Sequence, residues 1–299
     1  MAAHSKPLIA ALALVAWIAR PAAVPHASQA ATADAAPKRI ISLVPNVTEV
    51  LFAVGAGPQV VAVSSFDSYP PEVTKLPRVG ALLNPDVERL LSLRPDLVVV
   101  YGSQSGLEQQ LARAHIAVYS YRHGGLADVL ETIRAVGSRT GHAGAGRRVA
   151  DDVERKIDAV RARVKPFPRP RTLLVFGRER LALRGIYASG GRGFLADMLD
   201  AAGGDNLFAD VNQEAVQAST EVILTKQPEA IVEVRAATNP IPAGERDAEL
   251  DVWKALASVR AVRDKRLAFL VDDRLVVPGP RIGEGTELLA RALHPDAFR

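Results

Sequence analysis

One long amphipathic stretch divides the chain into two halves. Between residues 142 and 165, apolar residues recur every three or four positions, and charged residues occupy the positions between them. The apolar positions are Val149, Val153, Ile157, Val160 and Val164. This spacing is typical of a helix with one buried face, and the prolines that follow end it because proline cannot donate the helical hydrogen bond. We predict one bridging helix over residues 142–165, roughly 30 Å long at 1.5 Å per residue.

Both halves alternate between strand and helix patterns. In the first half, the short apolar runs that predict strands are 40–44, 60–64, 96–101 and 116–119. In the second half, they are 171–176, 229–232 and 267–271. Amphipathic segments separate these runs, and such alternation favours parallel sheets covered by helices on both faces. The sequence therefore predicts an α/β fold with two lobes, residues 39–141 and residues 171–299.

A short pattern occurs once in each half. In the first half, Glu88 is followed seven residues later by Pro95 and then by a strand. In the second half, Glu221 is followed seven residues later by Pro228 and then by a strand. The matching order indicates an internal duplication, and the alternative is a chance similarity between two proline-terminated helices. Both glutamates fall in the first turn of a predicted helix, where the helix dipole stabilises a carboxylate by roughly 0.3–1 kcal/mol.

The beginning of the sequence has the pattern of an export signal. After a positive start, an apolar run extends from Leu8 to Ala19, and Ser28 and Ala30 suit a cleavage site. The run has about 12 residues, short of the roughly 20 that a bilayer-spanning helix needs. We predict a secretory signal peptide over residues 1–30 and a short leader over residues 31–38, and an N-terminal anchor helix is the alternative.

Composition and motifs exclude several classes of protein. The sequence contains no cysteine, which excludes disulfide scaffolds, thiolate zinc sites and iron–sulfur clusters. Its net charge is only +4 and it has no basic run, so we expect no nucleic-acid partner. It has no nucleophile elbow and no phosphate-binding loop. We predict no catalytic residue, no metal held by the protein itself, and ordinary surface roles for the scattered histidines, which are His115, His123, His142 and His294.

Four aromatic residues follow predicted strands, where ligands of open parallel sheets bind. They are Phe66, Tyr69, Tyr101 and Tyr187. Aromatic residues make up 5% of the chain, so four of them in such loops favour a ligand surface between the lobes, and local packing is the alternative for each one.

The loop over residues 178–192 is rich in arginine. Its arginines are Arg178, Arg180, Arg184 and Arg192. Guanidinium groups bind carboxylates and phosphates through paired hydrogen bonds. The loop therefore predicts either a site for an anionic ligand or a solvated basic segment.

Three segments carry a resemblance to a known family. They are RIISLVPNVTE at 39–49, SSFDSYPP at 64–71 and LSLRPDL at 91–97. These segments resemble the periplasmic cobalamin- and siderophore-binding proteins of ABC importers, the helical-backbone class, with the closest likeness to the cobalamin-binding members. The resemblance implies two Rossmann-like lobes joined by the bridging helix, little hinge motion, and a location in the periplasm.

The resemblance also implies a ligand site in the cleft between the lobes. The residues expected to contact the ligand are Asn46, Phe66, Leu82, Tyr101, Arg178 and Tyr187. We expect no cofactor other than the transported ligand, which is cobalamin or a related corrinoid or metal chelate. Haem is disfavoured because Ala81 stands where haem binders of this class often place an iron-ligating tyrosine. A ferric siderophore is the alternative ligand, and a chelatase or nitrogenase-like enzyme is the alternative of another class.

Finally, the resemblance implies that the duplicated glutamates bind a partner protein. In the family, one surface glutamate per lobe docks onto arginines of the membrane permease, and Glu88 and Glu221 match those positions. The expected partner is an ABC permease dimer in the inner membrane, whose two-fold symmetry suits a duplicated pair. We expect the binding protein itself to be a monomer. Stabilisation of the helix dipole is the simpler role for these carboxylates, and both roles are compatible.

Overall fold

The computed structural model describes residues 36–237 and 242–299. The predicted signal peptide at residues 1–30, and the first part of the predicted leader, lie outside the described residues. None of the helices within the described part of the chain combines the length and the apolar character that a membrane crossing requires.

The first lobe is built on a four-stranded parallel sheet. Its elements are β1 (Ile40–Ser42), α1 (Pro45–Ala53), β2 (Val60–Val63), β3 (Gly80–Ala81), β4 (Asn84–Pro85), α2 (Val87–Ser92), β5 (Leu97–Tyr101), α3 (Ser105–Arg113), β6 (Ala117–Tyr121) and α4 (Leu126–Arg139). The strand order is β2-β1-β5-β6, and β3 and β4 form a separate antiparallel ribbon. The central strands β1 and β5 are nearly continuous apolar runs because helices and loops cover both faces.

One long helix, α5 (Ala143–Val164), follows the first lobe in the region of the predicted bridging helix. Its buried face includes Val153, Ile157, Val160 and Val164. These residues belong to a hydrophobic core that also contains residues of both lobes. The helix therefore joins the lobes through shared packing as well as through the chain.

The second lobe is built on a mixed sheet. Its elements are β7 (Arg171–Gly177), β8 (Ile186–Ser189), α6 (Phe194–Ala201), β9 (Asp205–Asn206), β10 (Ala215–Ala218), α7 (Thr220–Lys226), β11 (Ala230–Arg235), α8 (Arg246–Asp251), α9 (Arg260–Arg263), β12 (Leu267–Val271) and α10 (Ile282–Leu293). The main order is β10-β8-β7-β11-β12, and β9 pairs with β7. The pairs β7–β9, β7–β11 and β11–β12 are parallel, whereas β8 runs antiparallel to both β7 and β10.

The prediction of parallel sheets is therefore right for the first lobe and wrong for part of the second. The chain leaves β7, turns back through residues 178–185 and returns as β8. Such a direct connection joins antiparallel neighbours, whereas parallel neighbours need a long crossover. Gly185 lies in this turn with φ of +57°, a conformation that glycine adopts without a steric penalty.

Candidate functional site

A cavity of about 780 Å³ lies in the second lobe at the carboxyl ends of β7 and β11. Its apolar wall includes Phe176, Phe194, Leu195 and Val276. Its charged wall includes Arg178, Arg180, Arg192, Arg235, Glu214 and Glu249. Ligand pockets typically have volumes of about 300–1,000 Å³, apolar walls and a few converging polar groups, so this cavity is the candidate functional site.

The sheet explains why arginines meet at this cavity. β7 ends at Gly177 and β11 ends at Arg235. Residues at the carboxyl ends of adjacent parallel strands lie at one edge of a sheet, where open α/β folds bind ligands. Arg178 and Arg235 therefore reach the cavity from neighbouring strands, and Arg192 reaches it from the loop before α6.

The Arg178 guanidinium donates its hydrogen bonds to other groups of the protein. Its side chain is 0% exposed and forms ion pairs with Glu233 and Glu249. The atom Nε donates to both Glu233 carboxylate oxygens at 3.0 and 3.1 Å, and Nη2 donates to the Glu249 backbone oxygen at 2.7 Å. The remaining nitrogen, Nη1, donates to the backbone oxygens of Glu179 and Ala182. Arg178 was expected to contact the ligand, but in the structure its donors bond the protein, so it holds the wall together.

The network behind this wall includes the one tryptophan among the described residues. Trp253 is fully buried, and its Nε1 donates to Glu233 Oε1 at 2.6 Å. On the cavity side, Glu249 Oε1 is buried without a hydrogen-bond partner among residues 36–237 and 242–299. The nearest cation is Arg180, whose Nε lies 3.5 Å from that oxygen. Glu249 therefore links the buried network to the cavity.

The other arginines of the cavity and the loop differ in their ion pairs and in their exposure. Arg180 pairs with Glu245, and burial lowers the pKa of Arg235, which lies 3.5 Å from Glu233. Arg192 is exposed and forms no ion pair within residues 36–237 and 242–299. Arg184 does not line the cavity, because its side chain is 77% exposed and pairs with Glu179. The loop is thus solvated at Arg180, Arg184 and Arg192 and buried at Arg178, and Arg192 is the arginine with the fewest protein partners.

A cluster of four rings, three from the first lobe and one from the second, lies beside the cavity. We call Tyr101, Tyr121, His123 and Phe194 the aromatic cluster, and its neighbouring centroids lie 5.2–6.2 Å apart. Phe194 belongs to the cavity wall. Burial raises the pKa of Tyr121 and lowers the pKa of His123, although the nearby Glu214 carboxylate opposes the second effect. Both side chains are therefore uncharged at neutral pH. His123 is an exposed residue whose ring lies within this cluster.

The other residues expected at the site lie around the cavity or away from it. Tyr187 is 45% exposed, and its ring lies 6.4 Å from the ring of Phe176 in the cavity wall. Phe66 is 65% exposed and does not line the cavity. Leu82 packs against the core of the first lobe. Asn46 is buried, and its Nδ2 donates to the Pro278 oxygen at 3.1 Å, so it serves a contact between the lobes.

Arg235 and Phe194 are among the cavity residues that the sequence did not predict. The predicted strand at 229–232 stops short of Arg235, but β11 continues to that residue. The rule that ligands bind at strand ends would have included Arg235 if the strand had been extended over its alternating apolar residues. Phe194 opens α6, and nothing in its local sequence distinguishes it from a core residue.

Contacts on both sides of the cleft tie the lobes together. Arg281 of the second lobe donates two hydrogen bonds to Glu49 of the first, at 2.6 and 2.9 Å, and its guanidinium lies 3.8 Å from the Tyr69 ring centroid. On the other side, the Leu126 backbone nitrogen donates to Asp197 at 2.8 Å. These contacts and the shared core around α5 favour lobes with nearly fixed separation.

We expect replacement of Arg281 with alanine to destabilise the protein in a pH-dependent way. Burial raises the pKa of Glu49 above its usual range, and Arg281 opposes this rise. Without Arg281, the pKa rises further and an ionised Glu49 is left unpaired at pH 7, which costs about 1–3 kcal/mol. A buried carboxyl group with a raised pKa destabilises the folded state when it ionises, so stability falls as the pH rises through that pKa. The loss of stability caused by Arg281→Ala should therefore be smaller at pH 5, where more of Glu49 is protonated.

Urea denaturation of Arg281→Ala at pH 5 and pH 7 measures this difference. The double variant Glu49→Gln, Arg281→Ala should recover part of the stability at pH 7, because it removes the unpaired charge. Arg291→Ala, which breaks an exposed pair within α10, the helix that Arg281 precedes, is the control and should change stability by less than about 0.5 kcal/mol. An equal loss for Arg281→Ala at both pH values would contradict this account of Glu49.

Within the described part of the chain, no group of three or more histidine or acidic side chains is placed to hold a metal ion. The side chains at the site that could contact a ligand are therefore arginines, carboxylates and aromatic rings, and they do not form a set of metal ligands.

Comparisons with known proteins agree with this architecture. A sequence model of the family described as "Periplasmic binding protein" matches residues 40–273. The chain is 30% identical over 277 residues to the uncharacterized ABC transporter substrate-binding lipoprotein YvrC of Bacillus subtilis (strain 168), a match that covers 91% of this chain and 85% of that protein.

Solved structures show the same two-lobe fold. The periplasmic vitamin B12 binding protein BtuF of Vibrio cholerae matches with a TM-score of 0.73 and 25% identity, over 88% of this chain and 98% of that one. The periplasmic heme-binding protein RhuT of Roseiflexus sp. RS-1, in its apo form, matches with a TM-score of 0.72 and 29% identity, over 87% of this chain and 99% of that one. The predicted α/β class with two lobes is confirmed, and the named ligands of these relatives differ.

Proposed function

Because the chain belongs to the periplasmic binding protein family, we propose that it binds an anionic metal chelate and delivers it to an ABC permease. Membership confirms the resemblance carried by the three sequence segments. The relatives are substrate-binding proteins of ABC transporters and not enzymes, so this chain is a binding protein rather than a chelatase or nitrogenase-like enzyme. Its relatives are named after transported ligands, not after resident cofactors.

The arginine wall of the cavity supports an anionic ligand. Four arginines and two glutamates line the cavity, and three of the arginines, Arg178, Arg180 and Arg235, lie against acidic side chains. Arg192 has the guanidinium with no ion pair in the described part of the chain and is free to bind a carboxylate or catecholate through two parallel hydrogen bonds. This is the observation that carries the proposal, and it favours a carboxylate-bearing tetrapyrrole or an anionic ferric siderophore.

Cobalamin is the second candidate ligand. The relative from Vibrio cholerae is named as a vitamin B12 binding protein, and the sequence resemblance points in the same direction. The amide side chains and phosphate of a corrinoid would also find donors at Arg180 and Arg192. Cobalamin ranks second because its amide side chains are neutral and make less use of the charged guanidinium of Arg192 than a carboxylate would.

The route to the permease forms part of the proposal. We propose that residues 1–30 direct export to the periplasm and that the mature chain acts as a monomer. Its partner would be an ABC permease dimer of the inner membrane. The family membership and the apolar run near the start of the sequence support this location.

We further propose that Glu88 and Glu221 dock onto the permease. Both are exposed and occupy the second position of a short helix, α2 and α7 respectively. Each helix is capped by the side chain of the preceding polar residue, Asp86 or Ser219. The two lobes thus present the same carboxylate in the same local geometry. Hydrogen bonds led by that from Ser219 lower the pKa of Glu221, which keeps it ionised.

Titration of the mature chain with metal chelates tests the ligand proposal. The probes are hemin, a ferric tricatecholate siderophore, a neutral ferric trihydroxamate siderophore and cyanocobalamin. Trp253 belongs to the network behind the cavity wall, so its fluorescence should report occupancy. We expect saturable one-to-one binding of an anionic probe and weaker binding of the neutral ones. Saturation by cyanocobalamin alone would overturn the anionic assignment in favour of the second candidate.

The variant Arg192→Ala should weaken binding of the anionic probe about tenfold or more, because a hydrogen bond to a charged group contributes about 1.5–3 kcal/mol. Arg184→Ala is the matched control, since it removes the same charge from the same loop but outside the cavity. Its affinity should stay close to that of the wild type. Equal affinities for the two variants would show that Arg192 does not contact the ligand.

A further inference from the structure

His123 stands at the edge of the first sheet that faces the cavity. It follows β6 by two residues, at the carboxyl end of a parallel strand. Its ring lies 6.2 Å from the ring of Phe194, which belongs to the cavity wall. It is also exposed enough to meet a ligand. An imidazole of the first lobe therefore approaches the cavity of the second lobe across an aromatic contact.

The two nitrogens of His123 have different surroundings. Nδ1 lies 3.1 Å from the hydroxyl oxygen of Tyr121, which is itself buried. No hydrogen bond to Nε2 is found within residues 36–237 and 242–299. With the proton on Nδ1, that nitrogen donates to Tyr121 and the lone pair of Nε2 is available. Histidines that ligate metals typically have this arrangement, in which the second nitrogen is held by a hydrogen bond that fixes the ring.

We propose that His123 supplies one axial nitrogen ligand, through Nε2, to the metal of a planar chelate bound in the cavity. This inference rests on the proposed function and deepens it. Arg192 of the second lobe would hold the anionic groups of the chelate, and His123 of the first lobe would hold its metal. Tyr121 is a positioning residue, because it acts on the ligand only through the imidazole.

The proposal narrows the chemical class of the ligand. A single imidazole adds to a metal only where the chelate leaves an axial position open, as iron porphyrins and corrinoids without an intramolecular base do. A hexadentate ferric siderophore fills every position on its iron and gives His123 nothing to bind. The ligand inferred from the two lobes together is a planar tetrapyrrole metal chelate that carries anionic groups.

The test compares hemin with metal-free protoporphyrin, which carries the same carboxylates. For the wild type, we expect hemin to bind with a shifted Soret band that indicates nitrogen ligation. His123→Ala should lose that shift and bind hemin more weakly, while its affinity for protoporphyrin stays unchanged. Added imidazole should restore the shifted band in His123→Ala. The control is His115→Asn, which removes an imidazole that precedes β6 and should behave like the wild type.

A second variant tests the proposal while His123, the proposed metal ligand, is kept. Tyr121→Phe deletes only the hydroxyl that holds Nδ1, and loss of such an outer partner typically weakens metal binding about 10- to 100-fold. Hemin affinity should fall in this variant, and protoporphyrin affinity should not. An equal loss for both probes would indicate a packing role for Tyr121 and would count against the proposal.

The outcomes separate this inference from the proposed function. If hemin binds wild type and His123→Ala equally, with the same spectrum, the axial ligation is wrong and the anionic chelate site survives. If only a hexadentate siderophore binds, the axial ligation is again wrong while the carrier function stands. If no chelate binds the wild type, both the inference and the proposed ligand class fail.

Discussion

Replacement of Arg178 with alanine is expected to lower the free energy of unfolding by about 3–5 kcal/mol, because removal of one partner of a buried ion pair leaves the other charge uncompensated. Both partners, Glu233 and Glu249, have side chains that are at most 2% exposed. The substitution therefore removes the buried cation from two carboxylates and the Arg178 donors from the backbone oxygens of Glu179 and Glu249.

Chemical denaturation followed by Trp253 fluorescence measures this loss. The indole donates to Glu233, so its emission should change even in the native state of the variant. Arg184→Ala removes an arginine of the same loop whose side chain is largely exposed, and it should stay within about 0.5 kcal/mol of the wild type. Arg178→Ala with wild-type stability and weakened ligand binding would contradict the structural role and restore Arg178 as a ligand contact.

Reversal of the two duplicated glutamates is expected to abolish transport while ligand binding is retained. In Glu88→Lys, Glu221→Lys, lysines replace both exposed carboxylates, which should repel a cationic docking surface instead of attracting it. Neither glutamate lines the cavity, so the affinity for the chelate should stay within about twofold of the wild type. Such a change is small, because a tenfold change in affinity corresponds to about 1.4 kcal/mol. Each single reversal should give an intermediate rate because one docking contact remains.

Uptake by cells or vesicles that contain the partner permease measures transport, and fluorescence titration measures affinity in parallel. The matched control is Glu131→Lys, Asp296→Lys, which makes the same change in net charge at exposed acids on α4 and after α10. Transport should persist in this control. Unchanged uptake by the docking variant would leave the helix dipole as the role of Glu88 and Glu221.

The sequence predicts the fold well where local pattern and tertiary structure agree. The valine stripe of α5 and the apolar runs of β1, β5, β7 and β12 correspond to elements of the structure. The antiparallel strands β8 and β10 were not predicted, because both are short and mix exposed with buried residues. Their pairing depends on the turn after β7 and on contacts between distant segments, which periodicity does not record.

The site is harder to predict because its chemistry depends on partners that are remote in sequence. Arg178 and Arg192 are equivalent as loop arginines, yet only Arg178 meets Glu233 and Glu249, which lie 55 and 71 residues away. His123 had no local signal, since its importance comes from Phe194 of the other lobe. Ala81 cannot ligate iron, but the fold brings the imidazole of His123 close to the cavity wall from another loop.

The structure of the complex with the tightest-binding chelate tests the central claim most directly. The account predicts a chelate in the cavity of the second lobe, with its anionic groups within hydrogen-bond distance of Arg192 and one face toward Phe194 and the aromatic cluster. The lobes should keep the separation set by the Glu49–Arg281 and Leu126–Asp197 contacts. A chelate bound elsewhere on the protein, with the arginine-lined cavity filled by side chains, would contradict the account.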